Sequence, residues 1–264
     1  MVRLALLAVL AFGFVQQAEA ADADERNLSQ LILDELQPVA LANCDLKRFG
    51  GANDGGYLMC DNLSEGIETV YSYEVIPIDD FACDVSKRYQ VPVHYYNCYH
   101  TPACEGGSLV FHDECVGPQS ELDAWPVSDT LQNQIDLNRD GDKRLIVEMD
   151  IEGGEWDALR AAPDALLAQI DQMPMELHGV DDPRNLDVIR RLKQHFHLVN
   201  LHFNNHTCSS AASPLPSTVF QVLWVNKRLG VVDPSAPVPA PSSALNAPDR
   251  ADAPDCQLAP AAGE

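Results

Sequence analysis

The sequence predicts an α/β fold built on a largely parallel sheet covered on both faces. Two observations carry this. Segments rich in β-branched and aromatic residues alternate with helical patterns along most of the chain. The strongest of them, Arg144 to Asp150 (RLIVEMD), reads as a buried strand.

The elements follow in order. Leu28 to Leu36 is an amphipathic helix. Glu68 to Val75 (ETVYSYEV) is a strand. Asp79 to Tyr89 is a helix with Asp79 and Asp80 in its first turn, where acids favour the helix N-terminus. Val93 to Asn97 and Ser108 to His112 are short strands, and Arg144 to Asp150 follows. Glu155 to Ile170 is helical and broken near Pro163, because proline has no N–H to continue the ladder. Met173 to His178 is a strand, Asp187 to His195 a helix, and His197 to Phe203 and Thr218 to Asn226 close the sheet. In such sheets ligands bind at the carboxyl ends of the strands, so the residues just after each apolar run are the informative ones.

The flanks differ from this body. Residues 1–20 read as a signal peptide: Arg3, an apolar run from Leu4 to Val15, then Ala18 and Ala20 at the small positions before cleavage. That run is shorter than a membrane span, which takes about 20 residues. Residues 21–231 form one domain. From about Val232 to Glu264, Pro, Ala, Ser and Asp dominate, and the segment reads as a disordered tail. Cys256 within it either ties it back or pairs with another chain. The expected location is secreted or periplasmic, with a secretory lumen as a further option.

The formal net charge is -23. That excludes general nucleic-acid affinity, which needs Lys and Arg against phosphates, and it disfavours anionic lipid. No segment of residues 21–264 is long and apolar enough to span a membrane. All 8 cysteines follow residue 20, an even count that suggests disulfides after a signal peptide. Cys98, Cys104 and Cys115 are close enough to staple one local loop. There is no CxxC pair.

The densest polar cluster is Asp150-Ile151-Glu152-Gly153-Gly154-Glu155-Trp156. Its three acids, at the end of a strand, suit a cation or a polar ligand; Glu155 is equally explained by the start of a helix. Glu176 and His178 end the next strand and would face Asp150 and Glu152 if the two strands are neighbours, a set suited to general base chemistry or a divalent metal. Arg48 to Tyr57 (RFGGANDGGY) carries two glycine pairs that fit a hairpin turn or a close backbone approach to a ligand. Asp136, Asn138 and Asp140 have the spacing of the first half of a calcium loop, but Val147 stands where its twelfth-position Glu belongs. The alternative is a solvated acidic turn. His202 and His206 would share a metal only if their segment were helical, and it follows a strand.

Taken together, RFGGANDGGY, VYSYEV (Val70–Val75), FHDECVG (Phe111–Gly117), VEMDIEGGEWDAL (Val147–Leu159), MELHGV (Met175–Val180) and LVNLHFNNHTC (Leu198–Cys208) resemble the FkbM-like, methyltransferase-like family of S-adenosylmethionine-dependent methyltransferases. The resemblance implies a Rossmann-like class I methyltransferase fold, with a seven-stranded, mostly parallel sheet and the cofactor across the ends of its first strands. It implies cofactor contacts from Asp54, Gly55, Gly56, Glu74 and Asn97. Asp150, Glu152 and His178 would position or deprotonate an acceptor, a small molecule or a glycan. Two positions depart from the family: Glu74 stands where it has a glycine, and Asn97 where it has an acid that holds the ribose hydroxyls. The expected function is therefore methyl transfer to oxygen. The alternatives are a binding protein that has lost the cofactor and takes a metal, sugar or protein partner, and a calcium-stabilised structural domain.

Overall fold

In the computed structural model, residues 27–75, 80–101, 104–120, 126–179, 182–209, 214–240 and 245–258 are described. The expected signal peptide lies outside them. A helix, α1, covers 27–35. A hairpin follows, β1 (Leu46–Gly50) and β2 (Gly56–Cys60), then β3 (Thr69–Glu74), α2 (Asp80–Tyr89), β4 (Val93–Tyr96) and β5 (Leu109–His112). Two short strands, β6 (Cys115–Val116) and β7 (Ser128–Asp129), lead to α3 (Leu131–Leu137) and β8 (Leu145–Asp150). The chain continues through α4 (Glu155–Ala161), α5 (Asp164–Gln169), β9 (Ile170–His178), α6 (Pro183–His195), β10 (Phe196–Phe203) and β11 (Val219–Asn226).

The main sheet has seven strands in the order β10-β11-β9-β8-β3-β4-β5. β5, β4, β3, β8 and β9 run parallel, and β11 runs antiparallel to both β9 and β10. The fold is thus α/β with a mostly parallel sheet, compatible with a Rossmann-like arrangement. Strand parity divides the core in two. Tyr71, Tyr73, Val147 and Met149 pack with Ile135, Trp156 and Leu159 of the helices α3 and α4 on one face. Val70 and Ile146 pack with Tyr57 and Met59 of the hairpin and Phe81 and Val85 of α2 on the other. Local chemistry sets the boundaries. The Thr130 hydroxyl accepts from the Asn133 N–H to cap α3. The Asp182 carboxylate caps α6, with Pro183 in the first turn, so that helix starts earlier than its apolar pattern suggests. Ala162 and Pro163 separate α4 from α5.

Four disulfides, Cys44–Cys60, Cys83–Cys104, Cys98–Cys115 and Cys208–Cys256, use every cysteine. Such a set suits an oxidising compartment. No helix among the described residues is long and apolar enough to cross a membrane.

The segment after Val232, expected to be disordered, lies against the domain over 232–240 and 245–258. The Asp233 N–H donates to the Ala40 carbonyl. Asn246 and Asn200 exchange hydrogen bonds of 3.0 and 3.1 Å. The Asn205 amide donates to the carbonyls of Arg250 and Ala253. Cys256 is the tie to the domain. Composition points to disorder because the segment has little apolar surface to bury; polar pairing and a cross-link hold it instead.

Asp61, just after β2, joins the hairpin to α2. Its carboxylate accepts from Arg88 Nη2 at 2.7 Å, Lys47 Nζ at 2.7 Å and Tyr89 Oη at 3.1 Å. The Arg88 hydrogen bond, against a burial penalty and with help from Lys47 and Tyr89, holds the carboxyl down at about 2, below the usual 3.8. A lowered carboxyl stabilises the fold above its ordinary range and loses that contribution as pH falls through about 2. Asp61→Asn is expected to cost about 1 kcal/mol at pH 7, a screened value because the cations are half-exposed. The gap to the parent protein should close by about pH 2 in urea titrations.

Candidate functional site

The parallel strands end together, and their last residues form a polar row. Register pairs Glu74 of β3 with Asp150 of β8, Glu176 of β9 with Gln221 of β11, and Gln221 with His202 of β10. Asp150, Glu176 and His178 bring ligand atoms within 4.8 Å of one another. The hairpin covers this row, and Tyr57 Oη donates to Asp150 Oδ2 at 2.6 Å.

The turn after β8 is built by Glu155. Its side chain is fully buried and reaches back to accept from the N–H groups of Ile151 at 2.9 Å and Gly153 at 3.1 Å. Those bonds hold Glu152 at φ 55, a left-handed conformation uncommon for a residue with a side chain. Glu155 also faces His178 Nδ1 at 3.2 Å, and Trp156 Nε1 donates to the His178 carbonyl at 2.5 Å. His178 Nε2 lies 3.3 Å from Glu152, 3.6 Å from Glu176 and 3.9 Å from Asp150. The sequence-predicted trio Asp150, Glu152 and His178 is therefore brought together.

Electrostatics follow from burial among acids. Burial pushes the Asp150 carboxyl up to about 7, partly offset by the Tyr57 hydrogen bond and the His178 charge. Burial, then the neighbouring Asp150 and Asp249, push Glu176 well above the carboxylate range. Burial alone would lower His178, but the hydrogen bond and charge of Glu155 and the fields of Asp150 and Glu176 raise it to about 9.

Two cavities meet here. The first, about 290 Å³, is acidic: Asp54, Glu74, Asp150, Glu152, Glu176 and His178 line it, with Asn204, His206 and Thr207. The second, about 190 Å³, is a slot between the ends of β3 and β4 and the turn after β8, walled by Tyr73, Tyr96, Tyr99, Val116 and Ile151. Glu74 lines both. Its Oε1 accepts from the N–H of Val75.

The other sequence-predicted positions are used differently. Asn97 lines the slot, but its amide oxygen accepts from the N–H groups of Tyr99 and His100, each at 2.9 Å, and so fixes the turn after β4. Gly55, at φ 70, ends the β1–β2 turn, and Gly56 opens β2 opposite Gly50. A Cβ on Gly56 would collide with the Gly51 carbonyl oxygen, so chain packing demands that glycine. Asp54, beside them, does line the acidic cavity. The expected calcium loop does not form, because α3 ends inside it at Leu137 and the three side chains take separate protein partners. Asp136 accepts from Gln132 within that helix, and Asn138 donates to Tyr96 Oη. Asp140 is buried against Tyr71 Oη at 2.8 Å, Lys143 Nζ at 2.5 Å and His94 Nε2 at 3.2 Å. His202 and His206 also diverge: His202 bonds Asp255, and His206 lines the acidic cavity.

Three site residues carried no assigned role in the sequence. Tyr57 sits inside the DGGY segment, where a tyrosine beside glycines was a usable signal. Asn204 and Thr207 follow β10, the place where strand-end logic looks for ligands. Compared with protein-family models and with curated proteins, the chain matches none.

Proposed function

We propose that this chain is an exported, S-adenosylmethionine-dependent methyltransferase-like enzyme acting on an oxygen of a small molecule or glycan. The observation that carries this reading is the pair of cavities meeting at Glu74: an aromatic slot at the carboxyl ends of β3 and β4, beside a polar pocket containing Asp150. The seven-stranded, mostly parallel sheet supports it.

The residues of the slot fit the cofactor in three respects. Tyrosine and aliphatic walls suit a planar base. Glu74 offers a carboxylate to hydroxyl or ammonium donors. Tyr73, 1% exposed, has a hydroxyl with no hydrogen-bond partner among the described residues, which a ligand would satisfy. Asn97, committed to its own turn, leaves the polar contacts to Glu74. S-adenosylmethionine, when bound, supplies an electrophilic methyl group. The chain's own residues do the rest. Asp150, oriented by Tyr57, accepts the acceptor's proton. His178, ringed by carboxylates, balances their charge, and the Glu155-built turn fixes Glu152 at the pocket rim. Much of the rate would come from orientation in this pocket.

Calorimetric titration of the oxidised protein with S-adenosylmethionine and S-adenosylhomocysteine tests the proposal. Saturable heat at micromolar to millimolar ligand is expected, and Glu74→Gln should weaken it roughly tenfold or more. No heat at millimolar ligand sinks the enzyme reading. The two departures at Glu74 and Asn97 favour the second reading, a cofactor-free binding protein. In that case Glu74→Gly with Asn97→Asp should restore cofactor binding.

A further inference from the structure

A second set of carboxylates converges at the edge of the acidic cavity and shares only Glu176 with the Asp150, Glu176 and His178 group. Asp54 of the hairpin turn, Glu176 of β9 and Asp249 of the 245–258 segment each place a carboxylate oxygen within 4.8 Å of the other two. Three separate parts of the chain thus meet at one point. Asp54 is exposed, while Glu176 and Asp249 are 3% and 5% exposed.

Protein donors satisfy only part of this set. Gln221 Nε2 donates to Asp249 Oδ1 at 2.9 Å and to Glu176 Oε2 at 3.2 Å. Asn204 Nδ2 donates to Glu176 Oε1 at 2.7 Å. Arg48 and His202 are the positive or potentially positive groups that act on Asp249. None of them reaches Asp249 Oδ2, which is buried with no hydrogen-bond partner among the described residues. A buried carboxylate oxygen left in this state beside two other acids is unfavourable unless something positive meets it.

We propose that Asp54, Glu176 and Asp249 hold a divalent cation, and that the cation is Ca²⁺. The donors are all oxygen, which selects hard cations over zinc or copper. Oxygens within 4.8 Å of one another fit around Ca²⁺, whose oxygen ligands lie at about 2.3–2.6 Å in flexible geometry. Mg²⁺ demands a tighter octahedron, harder to assemble from a turn, a strand and a docked segment. The ion fastens the 245–258 segment over the strand ends, where Asn53 Nδ2 already donates to the Pro248 carbonyl at 2.7 Å and Cys256 is cross-linked to Cys208. This site does not depend on methyl transfer, and its test uses no S-adenosylmethionine.

The test is thermal melting of the full oxidised chain, first with chelator and then in Ca²⁺ from about 10 µM to about 10 mM, with about 0.15 M salt to screen the chain's overall charge. A saturable rise in melting temperature is expected, half-complete at about 10⁻⁴–10⁻³ M. Asp249→Asn and Asp54→Asn should each shift that midpoint upward by about tenfold or more, and the exposed position of Asp54 keeps its variant informative if Asp249→Asn does not fold. Asp136→Asn, in the exposed acidic turn at the end of α3, should leave the midpoint unchanged. The assignment is overturned by no response in the parent protein or by an equal response to Mg²⁺. It is equally overturned by a response that survives in both aspartate variants, or by one lost only in Asp136→Asn.

Discussion

Asp150→Asn is expected to slow methyl transfer by about 10²–10⁴-fold, the contribution of a positioned base, while S-adenosylmethionine binds as before. The substitution keeps the shape of the side chain, and the new amide's oxygen can still accept the 2.6 Å hydrogen bond from Tyr57 Oη, so the pocket should hold its form. What is lost is the ability to take a proton. The measurement is release of S-adenosylhomocysteine with a panel of phenols, hydroxy acids and methyl glycosides as acceptors, beside calorimetry for cofactor affinity. An unchanged rate would remove Asp150 from the chemistry. A fall in affinity with an unchanged rate would make it a binding group instead.

The second large effect is on stability. Glu155→Ala should destabilise the fold by about 3–5 kcal/mol, read from urea denaturation. The buried carboxylate meets two backbone N–H groups and His178, and alanine would leave all of them without an acceptor. Glu155→Gln keeps one acceptor oxygen and should cost less than half as much. A loss under about 1 kcal/mol for the alanine variant would show that the turn after β8 holds itself.

Glu155 also shows where the sequence could and could not be read. Its place at a helix start was legible, and the macrodipole gave a sufficient reason for it. Its reach back across Gly153 and Gly154 was not, because a carboxylate's rotamer is set by the turn it completes. The sheet was legible for a simpler reason: RLIVEMD and MPMELH are too apolar to lie anywhere but inside, and parallel strands must end on the same side. With the adjacency of β8 and β9, which the sequence left as a condition, those constraints place Asp150 beside His178. The calcium spacing at Asp136, Asn138 and Asp140 misled because a repeat of acids does not show that α3 ends inside it and sends the three side chains to different partners. Asp249 was out of reach altogether. A Pro- and Ala-rich stretch gives no apolar period to place it, and its position comes from Asn205, Asn246 and a disulfide far away in sequence.

That docked stretch also sets an order of assembly. A chain made from its N-terminus can pair β3, β4, β8 and β9 as soon as they emerge, and β11 completes the sheet at Asn226. The rim of the cleft comes later. It waits for residues 245–258 to arrive and for Cys208 to join Cys256. The cleft is therefore the last region to mature, and its completion is timed by oxidation. A chain cut at residue 231, the boundary that composition recommends, would keep its sheet and leave Asp54 and Glu176 without their third acid.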